Sequence, residues 1–175
     1  MKELKQFPTT DYNKIPHKYY FLSVAKNIIK IANLENSKKT ILDFGCGQKI
    51  FSQMLKNQKI INYDLKEEYT DYKSYENLHF DIIIFNHVLM YLYPHDIDLL
   101  LDKLKKINPK CELILSLGKQ NLVSKIAMVL TLDFNAHKDT RSSYEEQVDI
   151  LLNKSTLIKK KLNIYGMTDI YYSKF

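Results

Sequence analysis

An acid followed within four residues by two glycines is the most informative chemical feature of this chain. Asp43 ends an apolar run, and Gly45 and Gly47 follow it with Cys46 between them. Glycines at this spacing let backbone amides approach a ligand, and the helix that begins next points its N-terminus at the same place. The pattern predicts a tight turn at the carboxyl end of a buried strand, holding a nucleotide-like cofactor.

A second acid, Asp64, stands at the end of the next apolar run, 17 residues beyond Gly47. An acid at this position can accept two hydrogen bonds from ribose hydroxyls, and the alternative is an acid that caps a turn. Asp43 needs hydrogen-bond donors or a cation, because burial of an unpaired acid costs several kcal/mol. The cationic end of a ligand would meet that need.

A polar pair, Asn86 and His87, follows a third apolar run, which covers residues 80–85. The carboxyl ends of parallel strands meet at one edge of a sheet, so the pair is predicted to lie near Asp43 and Asp64. An imidazole has an ordinary pKa near 6.5 and suits general base catalysis. The alternative for His87 is a hydrogen-bonded structural residue.

The elements that position these residues follow from the apolar pattern. Apolar residues at helical spacing predict helices over residues 18–34 and 48–56, from Asp96 as N-cap to Asn108, and from about Ser143, which has capping-box spacing with Glu146. Apolar runs predict strands over residues 39–44, 59–64, 80–86 and 111–118, and a final hairpin turns at Gly166. This alternation predicts an α/β fold, a doubly wound, mostly parallel, Rossmann-like sheet with a C-terminal antiparallel hairpin.

The ordered segments ILDFGCG, NYDL, FDIIIFNHVLMYL and CELILSLG resemble the class I methyltransferases that use S-adenosylmethionine, over about residues 38–118. The resemblance implies S-adenosylmethionine as cofactor and a seven-stranded sheet whose last strand is antiparallel. It also implies that Asp43 and the glycine turn hold the methionyl part, and that Asn86 and His87 lie near the transferable methyl group. The cofactor-binding residues implied are Asp43, Phe44, Gly45, Cys46, Gly47, Asp64, Leu65 and Asn86, and the catalytic candidates are His87 and Asn86.

Two departures from the family pattern stand out. Lys49 takes the place of the third glycine of the turn, so the following helix cannot pack as closely there. Only residues 65–80 separate the second predicted strand from the third, which predicts that the strand usually found between them is missing or vestigial. Tyr69, Asp71 or Tyr72 would then contact the adenine, or would serve only core or loop packing.

At 175 residues the chain fits one domain. We divide it into an N-terminal helical cap (residues 1–37), a cofactor-binding core (38–118), an apolar insert (119–140), and a C-terminal helix and hairpin (141–175). The insert is apolar almost all round from Asn121 to Phe134, which predicts either a buried core helix or a lid over an apolar substrate. His137 follows it and is a further candidate for a role in the site.

Composition excludes several functional classes. The two cysteines form no metal-binding spacing with histidine, so no metal is expected. The sequence has no apolar signal core and no run of about 18 apolar residues, which predicts a cytoplasmic protein without a transmembrane segment. The net charge is +6, but Arg141 is the single arginine, which disfavours a nucleic-acid partner.

These observations favour a methyltransferase that acts on a small-molecule acceptor of apolar or amphiphilic character. The alternatives are a cofactor-binding scaffold or regulatory protein without turnover, and an RNA methyltransferase suggested by the positive charge. A NAD-dependent dehydrogenase is disfavoured, because its turn needs a third glycine where Ile50 stands.

Overall fold

The computed structural model describes residues 17–131 and 139–175, which form a layered α/β structure around one sheet. The strands are β1 (Ile41–Phe44), β2 (Ile60–Tyr63), β3 (Ile82–Asn86), β4 (Glu112–Gly118), β5 (Thr156–Ile164) and β6 (Thr168–Lys174). In the sheet they lie in the order β2-β1-β3-β4-β6-β5. Strands β1 to β4 are parallel, whereas β6 runs antiparallel to both β4 and β5.

Five helices cover or flank this sheet within the described residues. They are α1 (His17–Ile31), α2 (Ile50–Met54), α3 (Pro94–Ile107), α4 (Leu122–Thr131) and α5 (Tyr144–Lys154), with 3-10 turns at Leu34–Asn36 and Leu89–Tyr91. The alternation of strands and helices confirms the predicted doubly wound α/β fold and its C-terminal antiparallel hairpin.

The core lies on both faces of the sheet. Every residue of β3 is buried, as is typical of a strand with helices on both of its sides. One apolar cluster joins the sheet to α3 and α5, and a second joins it to α1 and α2. Successive residues of a strand point to opposite faces, so Leu113 and Leu115 of β4 belong to the first cluster and Ile114 to the second.

The helix ends differ in part from the prediction. Helix α1 ends before residue 34, because Asn33 adopts a left-handed φ of 50°. The prediction that Asp96 is the N-cap of α3 is wrong: Tyr93 is the N-cap, and Asp96 lies in the first turn, where a negative charge also favours the helix. The capping box of Ser143 and Glu146 at the start of α5 is confirmed.

The strand expected between β2 and β3 is missing, as predicted, since residues 65–79 are all described and contain no strand. Asp71 of that segment bonds to Asn62 at the open edge of β2, and the Thr70 hydroxyl lies 3.5 Å from the Asn62 carbonyl oxygen. The Asp71 backbone amide donates to the Asn62 carbonyl oxygen at 2.9 Å, and the Asp71 carboxylate accepts from the Asn62 amide at 3.2 Å. The backbone amide and carbonyl of Asn62 are therefore bonded locally, without a further strand.

The first turns of α4 are exposed to solvent. The exposed fractions of Leu122, Val123 and Ile126 are 73%, 46% and 51%, so the alternative of a buried core helix is wrong for these residues. The predicted insert extends to Phe134. Its last residues, from 132 to 134, and His137 lie outside the described residues. None of the helices in the described part of the chain has both the length and the apolar character to cross a membrane.

Candidate functional site

The glycine turn joins β1 to α2 and is fastened to the end of β2. The amides of Gly45 and Cys46 both donate to the Tyr63 carbonyl oxygen, at 2.7 and 3.1 Å. Gly45 adopts a φ of +75°, and a Cβ atom added there would lie 2.5 Å from Cγ2 of Val88. The backbone of the turn thus packs directly against the residues that follow β3, which only glycine permits.

Asp64 binds the same turn from the end of β2. Its Oδ2 accepts from the Gly47 amide at 2.9 Å, and its Oδ1 accepts from the Lys66 amide at 3.0 Å. These bonds orient the carboxylate at the edge of the sheet. Each carboxylate oxygen can accept more than one hydrogen bond, so Asp64 retains the capacity to bind hydroxyl groups of a ligand.

Asp43 is a buried acid at this end of the sheet, and one of its oxygen atoms is unpartnered among the described residues. Its side chain is 1% exposed, and Oδ2 accepts no hydrogen bond from any described residue. Burial, and secondly the charge of Asp64, raise the pKa of the Asp43 carboxyl to about 8. A cationic group placed beside it would remove the penalty of burying this carboxylate.

Cys46 lies in the turn but has no nucleophilic character. Its thiol is buried and donates to the Tyr69 carbonyl oxygen at 3.3 Å. Burial raises the pKa of the Cys46 thiol far above its ordinary value, and the charges of Asp43 and Asp64 raise it further. Asp43, Cys46 and Asp64 are thus brought together at one turn, as the sequence predicts, and the thiol stays neutral there.

Lys49, which replaces the third glycine, adopts a φ of 57° and a ψ of 44° at the N-cap of α2. This left-handed conformation costs a non-glycine residue about 1–2 kcal/mol. The Lys49 Nζ lies 2.7 Å from Asp71 Oδ1. Partial burial raises the pKa of the Asp71 carboxyl, but hydrogen bonds from Lys49 and Asn62 outweigh it and leave the pKa below its ordinary value.

The three candidates for an adenine contact have different surroundings. Both carboxylate oxygens of Asp71 are bonded within the protein, to Lys49 and to Asn62. Tyr69 contributes its carbonyl oxygen to the Cys46 contact, and Tyr72 is 45% exposed. Asp71 thus already accepts hydrogen bonds from Lys49 and Asn62 within the described part of the chain.

Leu65 and Phe44, two further predicted cofactor residues, have different surroundings. Leu65, with Lys66, Glu67 and Glu68, lines an open surface pocket of about 520 Å³ directly after Asp64. The Phe44 ring instead packs against the rings of Tyr63 and Phe85 of the sheet and Tyr75 of the segment after β2, with centroid distances of 5.0 to 5.1 Å. Only the backbone of Phe44 is positioned to take part in the site.

Asn86 is the last residue of β3 and His87 follows it, at the same carboxyl-terminal end of the parallel strands. Ser116 of β4 donates to Asn86 Oδ1 at 2.7 Å, while the His87 amide donates to Ser116 Oγ at 3.1 Å. His87 adopts a left-handed φ of 57°, which is uncommon for a residue with a side chain and marks functional sites more often than chance. Ser116 thus fixes the backbone that carries the imidazole.

The His87 ring faces α1 and β6 rather than the glycine turn. Its Nε2 lies 3.4 Å from Thr168 Oγ1, and its ring centroid lies 6.0 Å from Tyr20 and 5.7 Å from Phe21. The Tyr20 hydroxyl also bonds the Thr168 hydroxyl, and burial raises the pKa of Tyr20 to about 12, which keeps this phenol neutral. Gly118 admits the ring, since a Cβ atom there would lie 3.2 Å from His87 Nδ1.

Sequence reasoning missed this aromatic surface, formed by Tyr20 and Phe21 beside His87. The two aromatic residues occur near the start of a predicted helix, and no local pattern indicates which edge of the sheet that end approaches. Thr168 was likewise unassigned, because its place opposite Gly118 depends on the register of β6 on β4.

Comparison with known proteins gives a family and a fold. A family model described as a methyltransferase domain matches residues 17–143. A search of curated proteins finds no match. Among solved structures, the PH0226 protein from Pyrococcus horikoshii OT3 has a TM-score of 0.68 at 12% identity, covering 96% of this chain and 95% of that one.

Two further structures were solved with a ligand. The N-methyltransferase NodS from Bradyrhizobium japonicum WM9, in complex with S-adenosyl-L-homocysteine, has a TM-score of 0.65 at 12% identity, covering 98% of this chain and 94% of that one. Magnesium protoporphyrin IX methyltransferase from Synechocystis PCC 6803, with bound S-adenosylhomocysteine, has a TM-score of 0.61 at 16% identity, covering 90% and 83%. At these identities the likenesses establish the fold.

Proposed function

The chain belongs to the methyltransferase domain family, and from this premise we propose that it transfers a methyl group from S-adenosylmethionine to a small acceptor. The observation that carries the proposal is the buried carboxylate of Asp43, whose Oδ2 lacks a partner among the described residues. An unpaired buried acid needs a cation, and S-adenosylmethionine carries an ammonium group and a sulfonium.

The other residues of the edge fit the same ligand. The glycine turn presents backbone to the methionyl part, and Asp64 is oriented to accept from ribose hydroxyls. Leu65, half-exposed at the open surface pocket that follows Asp64, offers an apolar side chain to the adenine. NodS and the magnesium protoporphyrin IX methyltransferase, each solved with S-adenosylhomocysteine, support this assignment through their shared fold.

When bound, S-adenosylmethionine supplies a methyl group that its sulfonium already activates. The protein then needs chiefly to position the acceptor and to exclude water. We propose that the methyl acceptor binds at the aromatic surface of Tyr20 and Phe21 beside His87. These rings are partly buried and favour an apolar or planar acceptor, which agrees with the apolar or amphiphilic acceptor expected from the sequence.

His87 is the residue that we assign to take up a proton from the acceptor. Its imidazole is held between Thr168 and Gly118, and the left-handed backbone aims it away from the line of β3. Asn86 serves this arrangement indirectly, since its bond with Ser116 fixes the strand end that carries His87. Asn86 is thus a positioning residue in this proposal.

Calorimetric titration with S-adenosylmethionine and S-adenosylhomocysteine tests the proposal. We expect both to bind, and Asp64→Ala to bind each at least tenfold more weakly because it loses the ribose contact and the Gly47 bond. Glu35→Ala, an exposed acid beyond α1, is the matched control and should bind like the wild type. Absence of binding of either compound at millimolar concentration would refute the cofactor assignment.

A cofactor-binding scaffold without turnover is the second candidate. Lys49 in the glycine turn and the missing strand after β2 favour it, because both alter the surroundings of the proposed cofactor. Incubation with S-adenosylmethionine labelled in its methyl group and with pools of small acceptors separates the two functions. Labelled product supports the enzyme, whereas binding without transfer to any pool supports the scaffold.

A further inference from the structure

The segment between β2 and β3 contacts the glycine turn through one acidic residue. We propose that Asp71 is a positioning residue of the cofactor site, which holds the glycine turn in its ligand-binding shape by joining Lys49 to the edge of β2. The inference rests on the proposed function, because it concerns the same turn. It assigns a role to a residue that touches neither the predicted ligand groups nor the acceptor surface.

The first support is the way Asp71 binds β2. Asn62, in the middle of that strand, exchanges backbone and side-chain hydrogen bonds with Asp71, including Nδ2 to Oδ2 at 2.7 Å. Asn62 is 5% exposed, and its Oδ1 accepts from Ser52 of α2 at 2.8 Å. Asp71 is thereby fixed to a buried residue that also contacts the helix following the turn.

The second support is the conformation of Lys49. Glycine would adopt its left-handed φ of 57° without strain, but only a long cationic side chain reaches Asp71 Oδ1, at 2.7 Å. The Lys49 amide also donates to the Cys46 carbonyl oxygen at 2.9 Å, so a shift of Lys49 moves the turn directly. Strain that is retained at a site is consistent with a role in that site.

The third support is a second contact from the same segment. Cys46 Sγ donates to the carbonyl oxygen of Tyr69, two residues before Asp71. The segment thus contacts the turn at Cys46 and at Lys49. Between these two residues, the Gly47 amide donates to Asp64. The turn is therefore shaped by β2 and by the segment after it, and not by its glycines alone.

Side-chain exposures of 33% for Lys49 and 36% for Asp71 mean that this ion pair contributes little to global stability. Its proposed effect is on the shape of the turn, so ligand affinity and stability should respond differently. The useful variants are Asp71→Asn, Lys49→Gly and the double variant. Lys49→Arg keeps the cation. Glu76→Gln removes a more exposed ion pair, which joins the same segment to Lys103 of α3.

The experiment combines three measurements. They are S-adenosylhomocysteine affinity by calorimetry, the free energy of unfolding in urea, and hydrogen exchange of residues 44–52 in the ligand-free protein. We expect Asp71→Asn and Lys49→Gly each to weaken binding at least fivefold and to speed exchange in the turn. Lys49→Gly should do so without loss of stability, because glycine relieves the left-handed strain.

The double variant should bind about as weakly as either single variant, since one contact is lost in each case. Lys49→Arg and Glu76→Gln should stay within twofold of the wild type. Unchanged affinity and exchange in both Asp71→Asn and Lys49→Gly would overturn the proposal, as would an equal effect of Glu76→Gln. If the wild type fails to bind S-adenosylhomocysteine, the proposed function fails, while exchange in the ligand-free protein still decides whether Asp71 holds the turn.

Discussion

Replacing Asp43 with asparagine should stabilise the ligand-free protein at neutral pH and weaken its binding of S-adenosylhomocysteine. The carboxyl is 1% exposed, lies near Asp64, and has an Oδ2 without a partner among the described residues. At neutral pH the folded wild type must keep this carboxyl protonated, which costs free energy that an uncharged amide of the same shape does not cost. The amide also loses the attraction for the ammonium group of the ligand.

The magnitude follows from the raised pKa of Asp43, about 8 against 3.8 for an exposed carboxyl. Between these values the folded protein binds a proton that the unfolded chain has released. This extra proton binding stabilises the folded protein. The contribution is fully present below about pH 4 and is lost as the pH rises toward 8, at about 1.4 kcal/mol per pH unit. From pH 5 to pH 7 the wild type should lose about 3 kcal/mol from this group.

Urea unfolding of the wild type and Asp43→Asn at pH 5, 6 and 7 measures this difference. Other titrating groups are common to both proteins, so the difference between the two pH slopes isolates Asp43. Calorimetry of S-adenosylhomocysteine binding at pH 7, in buffers of different ionisation enthalpy, should show release of up to one proton by the wild type alone. Parallel pH slopes and equal proton release in the two proteins would refute the assignment of a neutral, buried Asp43.

Three further predictions concern the turn, the acceptor side and the last helix. Gly45→Ala should lower the free energy of unfolding by about 1–3 kcal/mol, because its Cβ would overlap Val88 at a φ of +75°, and urea unfolding checks this. His87→Ala should reduce kcat about 100-fold once an acceptor is known, with S-adenosylhomocysteine affinity within threefold of the wild type, and an unchanged kcat would contradict its assignment as general base. Ser143→Ala should lower the free energy of unfolding by about 1 kcal/mol through loss of the capping box. Glu145→Gln, outside the box, should change it by less than half of that, and thermal unfolding of both variants measures the difference.

Much of the fold was predictable because the relevant signals are local. Largely apolar runs identified β1 to β4, since strands covered on both faces are rich in apolar residues. The capping box of Ser143 and the hairpin around Gly166 were predictable for the same reason, because each depends on residues a few positions apart. The missing strand followed from the short distance between two apolar runs.

The neighbourhood of Asp43, Cys46 and Asp64 was also predictable, because strand ends in a parallel sheet share one edge. The ends of the helices were less predictable. Asp96 has the right type for an N-cap, but Pro94 is favoured in the first turn and moved the start of α3 to an earlier residue. Local preference decides a helix boundary only when no stronger preference stands beside it.

The sequence by itself determined the order of strands and helices and the polar residues at the strand ends, because periodicity and spacing act along the chain. The tertiary structure decided what surrounds those residues. The bridge from Lys49 through Asp71 to Asn62, and the approach of Tyr20 and Thr168 to His87, join residues that are far apart in sequence. Such contacts depend on how complete elements pack and register, and no local pattern encodes them.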